Sequence, residues 1–135
     1  NKALEIIEAS VLFNIQSDKI EVTVHPEHII HGLVHYKDGS ILANLGFPDM
    51  ITPLSVALNW PSRSDLNLKK LSLSNISNLS FFEPDFKKFP GLKLGWDVLD
   101  NPNFSPVVLN ASNEIAVDAF LNNKVRFTDI YNITD

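Results

Sequence analysis

Cysteine is absent from the 135 residues of this chain, so a disulfide framework and a thiolate metal site are both excluded. Positive charge is scarce as well, because 11 Lys and Arg residues stand against 16 Asp and Glu residues, for a net charge of −5. Nucleic acids and anionic membrane surfaces both attract basic patches, so we expect no nucleic-acid partner and no membrane partner. No apolar run approaches the roughly 18 residues of a membrane span.

Glycine is also sparse, with five isolated residues, so the chain contains no glycine-rich phosphate loop and no dinucleotide-binding fingerprint. The apolar content of 44% and the charged content of 20% are typical of a globular protein. Helical spacing is present from the first residue, and FTDIYNITD at the other end predicts a helix that begins at Thr128. We therefore expect a fragment of a longer protein.

The first half of the chain predicts a helix followed by strands. Residues 1–13, NKALEIIEASVLF, have helical spacing and are apolar on most sides, which is typical of a buried helix. A strand is predicted over residues 19–24, ending before Pro26. Residues 29–36 and 40–45 alternate and are joined by KDG, which predicts a β-hairpin. Thr52 is the predicted N-cap of a second helix, with Pro53 at its first position and an end near Trp60.

The second half predicts an extended linker and then helices. Residues 61–90 are rich in Ser, Asn, Lys and Pro, with one strand expected near residues 79–82. From Gly91 the spacing is helical, and Pro106 follows Ser105 at the start of one helix. The predicted fold is α+β: a buried helix, a small, mostly antiparallel sheet with a hairpin, an extended linker and a truncated α-helical bundle. The predicted domain division is 1–50, 51–90 and 91–135.

All four histidines lie between residues 25 and 35. On a helix, His28, His31 and His35 would share a face, and such spacing can bind zinc. Gly32, the β-branched neighbours and the KDG turn favour a strand instead, and no acidic residue has the spacing of a metalloprotease motif. We interpret them as sheet and turn histidines with ordinary hydrogen bonds, and we predict that this segment alone binds no zinc.

The helix at the start of the chain carries a narrow polar strip of Asn1, Glu5 and Glu8, with Lys2 beside it. One interpretation is a weak surface ion pair between Lys2 and Glu5. The other is a site for an oxygen-rich anion, with Lys2 as a point charge, Asn1 as donor and acceptor, and Glu5 as a hard ligand for Mg²⁺ or Mn²⁺. The residue pattern leaves both interpretations open.

Two further stretches have ordinary structural explanations. In GFPDM, Gly46 and Pro48 would shape a turn, and Met50 would offer a soft apolar surface to a ligand, but a turn into the next helix is the preferred interpretation. In LNASNE, Asn110, Asn113 and Glu114 lie along one helical stripe, where we expect capping and polar contacts within the bundle.

Taken in order, six stretches resemble 1-deoxy-D-xylulose 5-phosphate reductoisomerase. They are NKALEIIEA, IEVTVHPEHIIHGLVHYKDGSILANLGFPDM, TPLSVALNWP, FPGLKLGWDVL, LNASNEIAVDAFL and RFTDI. The resemblance implies the part of that enzyme that runs from the middle of the catalytic domain through a linker into the C-terminal helical domain. One departure is Phe47, where the family often has a polar residue.

The resemblance also implies an activity and its site residues. The family converts 1-deoxy-D-xylulose 5-phosphate to 2-C-methyl-D-erythritol 4-phosphate in non-mevalonate isoprenoid biosynthesis, with NADPH and Mg²⁺ or Mn²⁺. It implies that Asn1, Lys2 and Glu5 bind substrate, that Glu5 is one of three carboxylate metal ligands, and that the loop of Gly46, Pro48 and Met50 contacts the cofactor, with Met50 against the nicotinamide.

The resemblance further implies a homodimer paired through the hairpin sheet, in the bacterial cytoplasm or a plastid-type organelle. We expect the fragment alone to be inactive, because one carboxylate cannot hold a metal ion. The alternative hypothesis is a noncatalytic oligomerisation or interaction module that uses the hairpin.

Overall fold

The computed structural model describes residues 1–101, 103 and 105–135, and it divides into two compact units. One unit contains residues 1–22 and 83–135, and the other contains residues 23–82. The described chain has five α-helices, two strands and three short 3-10 turns. This content confirms the predicted α+β class.

The helical unit is built on α1, Lys2–Phe13. It also contains α3, Leu94–Asp100, α4, Pro106–Leu121, and α5, Asp129–Thr134. Two 3-10 turns, Ser17–Lys19 and Pro90–Leu92, belong to the same unit. The predicted starts of two helices are confirmed. Pro106 follows the N-cap Ser105 in α4, and α5 follows Thr128.

The core of the helical unit is small, and its buried apolar side chains among the described residues are Ile6, Ile7, Leu109 and Ala116. Two of them lie on α1, which confirms the predicted burial for the face that carries Ile6 and Ile7. The last turn of α1 differs from the prediction, because Val11 and Phe13 are each 71% exposed. Those side chains have no neighbouring element that covers them within the described residues.

Helix α1 packs against α3 at a close approach that Gly95 permits. A Cβ built on Gly95 would lie 2.7 Å from the backbone oxygen of Ala3 and 3.0 Å from Cβ of Ile6. Also on α3, the indole N–H of Trp96 donates to the carbonyl of Ile20 at 3.2 Å. The sequence division into 1–50, 51–90 and 91–135 remains a prediction about domains, while in this chain α1 packs with the C-terminal helices.

The second unit contains an antiparallel hairpin of β1, Ile30–His35, and β2, Ile41–Leu45. Its register places Ile30 opposite Leu45 and His35 opposite Ile41, with an irregularity at His31. The turn is the predicted KDG: Gly39 has φ of 86°, a left-handed conformation that glycine adopts without strain, and the Asp38 carboxylate accepts from the backbone of Ser40 at 2.9 Å. The predicted hairpin is confirmed.

The predictions of strands over residues 19–24 and near residues 79–82 are wrong. Residues 17–19 form a 3-10 turn, and residues 20–23 pair with no described strand. Val24 alone forms an antiparallel bridge, with Phe82, and this single pairing also replaces the strand expected near residues 79–82. The alternating apolar pattern was present at both places, but a strand needs a partner along its length.

The start of helix α2, Ile51–Asn59, was also predicted two residues too late. Its N-cap is Met50 rather than Thr52, and the Asp49 carboxylate accepts the N–H of Ile51 at 2.6 Å. Pro53 is tolerated in the first turn because its missing N–H needs no partner there. None of the helices in the described part of the chain is long and apolar enough to cross a bilayer.

Candidate functional site

The structure brings Asn1, Lys2 and Glu5 together on the first turn of α1. The amide Nδ2 of Asn1 donates to Oε1 of Glu5, and Nζ of Lys2 donates to Oε2 of Glu5 at 2.5 Å. Lys2 is 68% exposed and Glu5 is 41% exposed at the side chain. The carboxylate therefore connects the three polar groups and remains accessible to a ligand.

The three residues meet because helical spacing places residues one turn apart on one face. Behind them, the buried Ile6 and Ile7 fix the rotation of α1, so that Glu5 points away from the core. The arrangement offers one cation, one amide and one carboxylate, which is a donor set suited to a phosphorylated polyol. The structure fits both the ion-pair interpretation and the binding-site interpretation of this strip.

Glu5 fits the chemistry of a ligand to Mg²⁺ or Mn²⁺, because hard divalent ions take carboxylate oxygens. A complete site needs more than one such group. Among the residues that the structure describes, no group of three or more His, Asp or Glu side chains is placed to hold a metal ion. Glu5 by itself offers one carboxylate, and its role as a metal ligand stays a prediction.

The second predicted site, the Gly46–Met50 loop, lies in the unit of residues 23–82. Hydrogen bonds to Gly46, its first residue, hold the loop. The N–H of Gly46 donates to the carbonyl of Ile29 at 2.9 Å. The carbonyl of Gly46 lies 3.1 Å from Nε2 of His31, which donates to it. Met50 is 68% exposed, so its thioether is available for contact with a ligand. The predicted loop is confirmed, whereas the cofactor role of Gly46, Pro48 and Met50 stays a prediction.

Phe47, for which the sequence offered no role, packs beneath a cation. Nζ of Lys69 lies 5.2 Å from the centroid of its ring, within the range of a cation–π contact. A polar residue at this position would lose that contact, so Phe47 links the loop to the linker segment of the same unit.

The histidines occupy the turn and strand positions expected of them, but they are not equivalent. His28 has φ of 53° in the turn before β1, and His31 and His35 lie on β1. Sequence reasoning missed His25, whose side chain is only 6% exposed. Its contacts with Phe81 and Ser80 come from more than fifty residues away, so no local signal in the sequence marked it.

Asn110, Asn113 and Glu114 lie on α4 as predicted. Nδ2 of Asn110 donates to Oε1 of Glu114 at 3.0 Å across one helical turn. This contact is the polar helix interaction that the sequence indicated.

The hydrogen bond between Glu27 and Ser80 makes the stability of the second unit depend on pH. A hydrogen bond to Ser80 lowers the pKa of the Glu27 carboxyl below its ordinary value of 4.5. Since the folded-state pKa is depressed, the contact stabilises the fold above pH 4.5, and the stabilisation is lost as the pH falls through the folded-state value. We expect the Ser80 amide resonance to shift in that acidic range.

The measurement is an NMR titration of the Ser80 amide from pH 6 to pH 2. In the matched variant Glu27→Gln, which keeps an acceptor but no titrating carboxyl, the same resonance should stay constant. A Ser80 shift that persists in Glu27→Gln would assign the titration to another group.

Comparisons with known proteins identify the family. A family model described as the DXP reductoisomerase C-terminal domain matches residues 45–135. The 1-deoxy-D-xylulose 5-phosphate reductoisomerase of Prosthecochloris aestuarii is 54% identical over all 135 residues, and that of Chlorobaculum tepidum is 50% identical over the same length. In both cases the match covers 35% of the relative, so the chain spans about a third of the length of the curated relatives it matches.

Solved structures match over 99% of the chain. The reductoisomerase from Zymomonas mobilis in complex with NADPH superposes with a TM-score of 0.90 at 45% identity, over 99% of this chain and 35% of that one. A DOX-P reductoisomerase in complex with NADPH, fosmidomycin and magnesium superposes with a TM-score of 0.93 at 44% identity, over 99% of this chain and 33% of that one. The chain therefore belongs to the 1-deoxy-D-xylulose 5-phosphate reductoisomerase family.

Proposed function

We propose that this chain is part of an NADPH-dependent reductoisomerase that converts 1-deoxy-D-xylulose 5-phosphate to 2-C-methyl-D-erythritol 4-phosphate. The observation that carries the proposal is the convergence of Asn1, Lys2 and Glu5 on one turn of α1 in a chain of this family. Solved relatives in complex with NADPH and with magnesium support both cofactors. The chain by itself is proposed to be inactive, since it offers one carboxylate to the ion.

Each residue has a role that follows from its chemistry. Lys2 attracts the phosphate or a developing alkoxide as a point charge, and Asn1 donates to and accepts from substrate hydroxyls. Glu5 holds the divalent ion, which supplies Lewis-acid polarisation of the substrate oxygens and stabilises negative charge during rearrangement. Its carboxylate also keeps the side chains of Asn1 and Lys2 beside the ion.

The Gly46–Met50 loop is proposed to contact the nicotinamide that delivers hydride to the rearranged aldehyde. Gly46 is fixed at both its N–H and its carbonyl, so the loop offers Met50 from a defined position. An apolar, polarisable thioether can pack against a flat ring without competing for its hydrogen bonds. Pro48 restricts the loop backbone between these two residues.

The test of the activity uses the full-length parent protein. With 1-deoxy-D-xylulose 5-phosphate and Mn²⁺, we expect NADPH oxidation that stops on chelation and returns when Mn²⁺ or Mg²⁺ is restored. NADPH oxidation without substrate is the control for unrelated oxidase activity. Absence of substrate-dependent turnover in the wild-type protein would overturn the proposed reaction.

The hairpin supports a second role, which is subunit pairing. Both faces of β1 and β2 are exposed, and Val34, Ile41 and Leu42 are 51%, 56% and 60% exposed. We propose that two copies of the full-length protein pair through this sheet, because an exposed apolar hairpin is a template for association. If the hairpin serves a noncatalytic interaction module instead, pairing will be retained in a parent protein that shows no turnover.

If two copies pair through the hairpin, charged substitutions on it should reduce the mass of the assembly. In the full-length protein, the double variant Val34→Asp and Leu42→Asp should sediment as a monomer at micromolar concentration, because two carboxylates would be buried without partners. Lys37→Asp, at the exposed turn, is the matched control and should leave a dimer. A dimer in the double variant would exclude this face as the interface.

The relatives compared are bacterial, and on that basis we propose the bacterial cytoplasm as the location, with a plastid-type organelle as the alternative.

A further inference from the structure

His25 is enclosed within the second unit by contacts on its face and on both ring nitrogens. Its ring stacks on Phe81 with centroids 4.9 Å apart and planes inclined by 15°. Its side chain is 6% exposed, whereas the other three histidines are exposed residues. The enclosure joins the turn before β1 to the end of the linker segment.

The partners of the two ring nitrogens define one tautomer. Nδ1 lies 2.9 Å from the carbonyl oxygen of Ser80 and 3.0 Å from Oε2 of Glu27, and both are acceptors. Nε2 accepts the backbone N–H of Ile29 at 3.2 Å. Nδ1 must therefore carry the proton and Nε2 must be bare, which is the neutral ring with its proton on Nδ1.

Ile29 connects His25 to the predicted cofactor loop by two hydrogen bonds. Its N–H is held by His25, and its carbonyl accepts the N–H of Gly46 at 2.9 Å. Gly46 is also held at its carbonyl by His31. A shift of Ile29 would therefore move the first residue of the Gly46–Met50 loop.

We propose that His25 is a positioning residue that acts through Ile29 and Gly46 to set the position of Met50. The inference rests on the proposed function, in which Met50 lies against the nicotinamide. His25 touches neither substrate nor cofactor in this proposal. Its effect is to hold Ile29 at a fixed distance from the carbonyl of Ser80, so that the loop is preorganised for NADPH.

Two amide substitutions separate the contacts of the ring. Glutamine at position 25 can place its carbonyl near the site of Nε2 and accept from Ile29, but it loses the donor to Ser80. Asparagine can place its amide near the site of Nδ1 and donate to Ser80, but it does not reach Ile29. Both lose the stacking on Phe81, so a general loss of packing affects both.

The first experiment measures NADPH affinity and kinetics of the full-length protein. His25→Asn should raise Kd and KM for NADPH about three- to tenfold, as expected for one lost hydrogen bond, with a smaller change in kcat. His25→Gln should stay within about twofold of the wild type. His35→Asn, on the exposed end of β1, is the matched histidine control and should bind NADPH as the wild type does.

The second experiment needs no cofactor and no turnover. Imidazole ¹⁵N spectra of the wild-type protein should show His25 protonated at Nδ1 and bare at Nε2. The ¹³C-methyl resonance of Met50, assigned with Met50→Leu, should move in His25→Asn and stay near its wild-type position in His25→Gln.

The outcomes separate the inference from the proposed function. An Nε2-protonated ring, or a Met50 methyl that is unmoved in His25→Asn, overturns the positioning role even if NADPH binds. Equal losses of NADPH affinity in the two amide variants also overturn it, because they indicate packing alone. If the methyl responds as expected while the wild type binds no NADPH, the positioning of the loop is supported and the proposed cofactor role fails.

Discussion

In the full-length parent protein, Glu5→Gln is expected to lower metal-dependent kcat by on the order of a hundredfold or more, a loss typical of removing one electrostatic contact at a reacting centre. Glutamine has the size and the helix propensity of glutamate, so α1 should keep its packing on Ile6 and Ile7. What changes is the charge: a neutral amide is a far weaker ligand for a hard divalent ion. It also releases Lys2 from its ionic partner.

The measurement combines NADPH oxidation with Mn²⁺ binding followed by electron paramagnetic resonance, so that loss of the ion is seen separately from loss of turnover. Glu8→Gln is the matched control, because Glu8 is an exposed glutamate on the same helix. Wild-type Mn²⁺ affinity in Glu5→Gln would remove Glu5 from the metal site. Loss of activity in both variants would point to the helix rather than to the carboxylate.

Gly95→Val is expected to destabilise the helical unit by about 1–3 kcal/mol, the usual cost of forcing extra volume into a packed contact. A Cβ at this position would lie 2.7 Å from a backbone oxygen of α1, a distance that real Cβ atoms do not adopt. The obstacle is main chain and cannot rotate away. Helices α1 and α3 must therefore separate, and the buried Ile6 loses part of its contact.

Denaturant unfolding of the parent protein measures this effect as a lower free energy of unfolding. Gly32→Ala is the control, since a Cβ there meets nothing within 4 Å, and it should stay within about 0.5 kcal/mol of the wild type. Because α1 carries Asn1, Lys2 and Glu5, Gly95→Val should also weaken substrate binding. Unchanged stability would mean that α3 shifts without cost.

Local chemistry made several elements predictable. The KDG turn requires a left-handed residue, and glycine supplies it, so the hairpin followed from the pattern. Ser105 and Pro106 marked the start of α4 in the same way. Helical spacing alone placed Asn1, Lys2 and Glu5 on one face of α1, so the contacts among them needed no tertiary information.

The failures have a common cause, which is that a hydrogen-bonding partner outside the predicted segment decides whether an element forms and where it begins. Residues 19–24 have the composition of a strand, but only Val24 finds a partner, and that partner is Phe82. The start of α2 was misplaced because the Asp49 side chain, rather than that of Thr52, holds the first N–H of the helix. A secondary-structure propensity is a property of single residues, whereas a strand ladder or a helix cap requires a donor and an acceptor to meet.

The sequence by itself determined the family, through six stretches in order along the chain. It also determined the α+β content and the polar strip of α1, because these depend on residue types and on local spacing. Tertiary structure alone decided that α1 packs on α3 through Gly95 and that His25 joins Ser80 to Ile29. The physical reason is that Gly95 meets Ala3, and His25 meets Ser80 and Phe81, across more than fifty residues of the chain. Those atoms are neighbours only after the chain has folded.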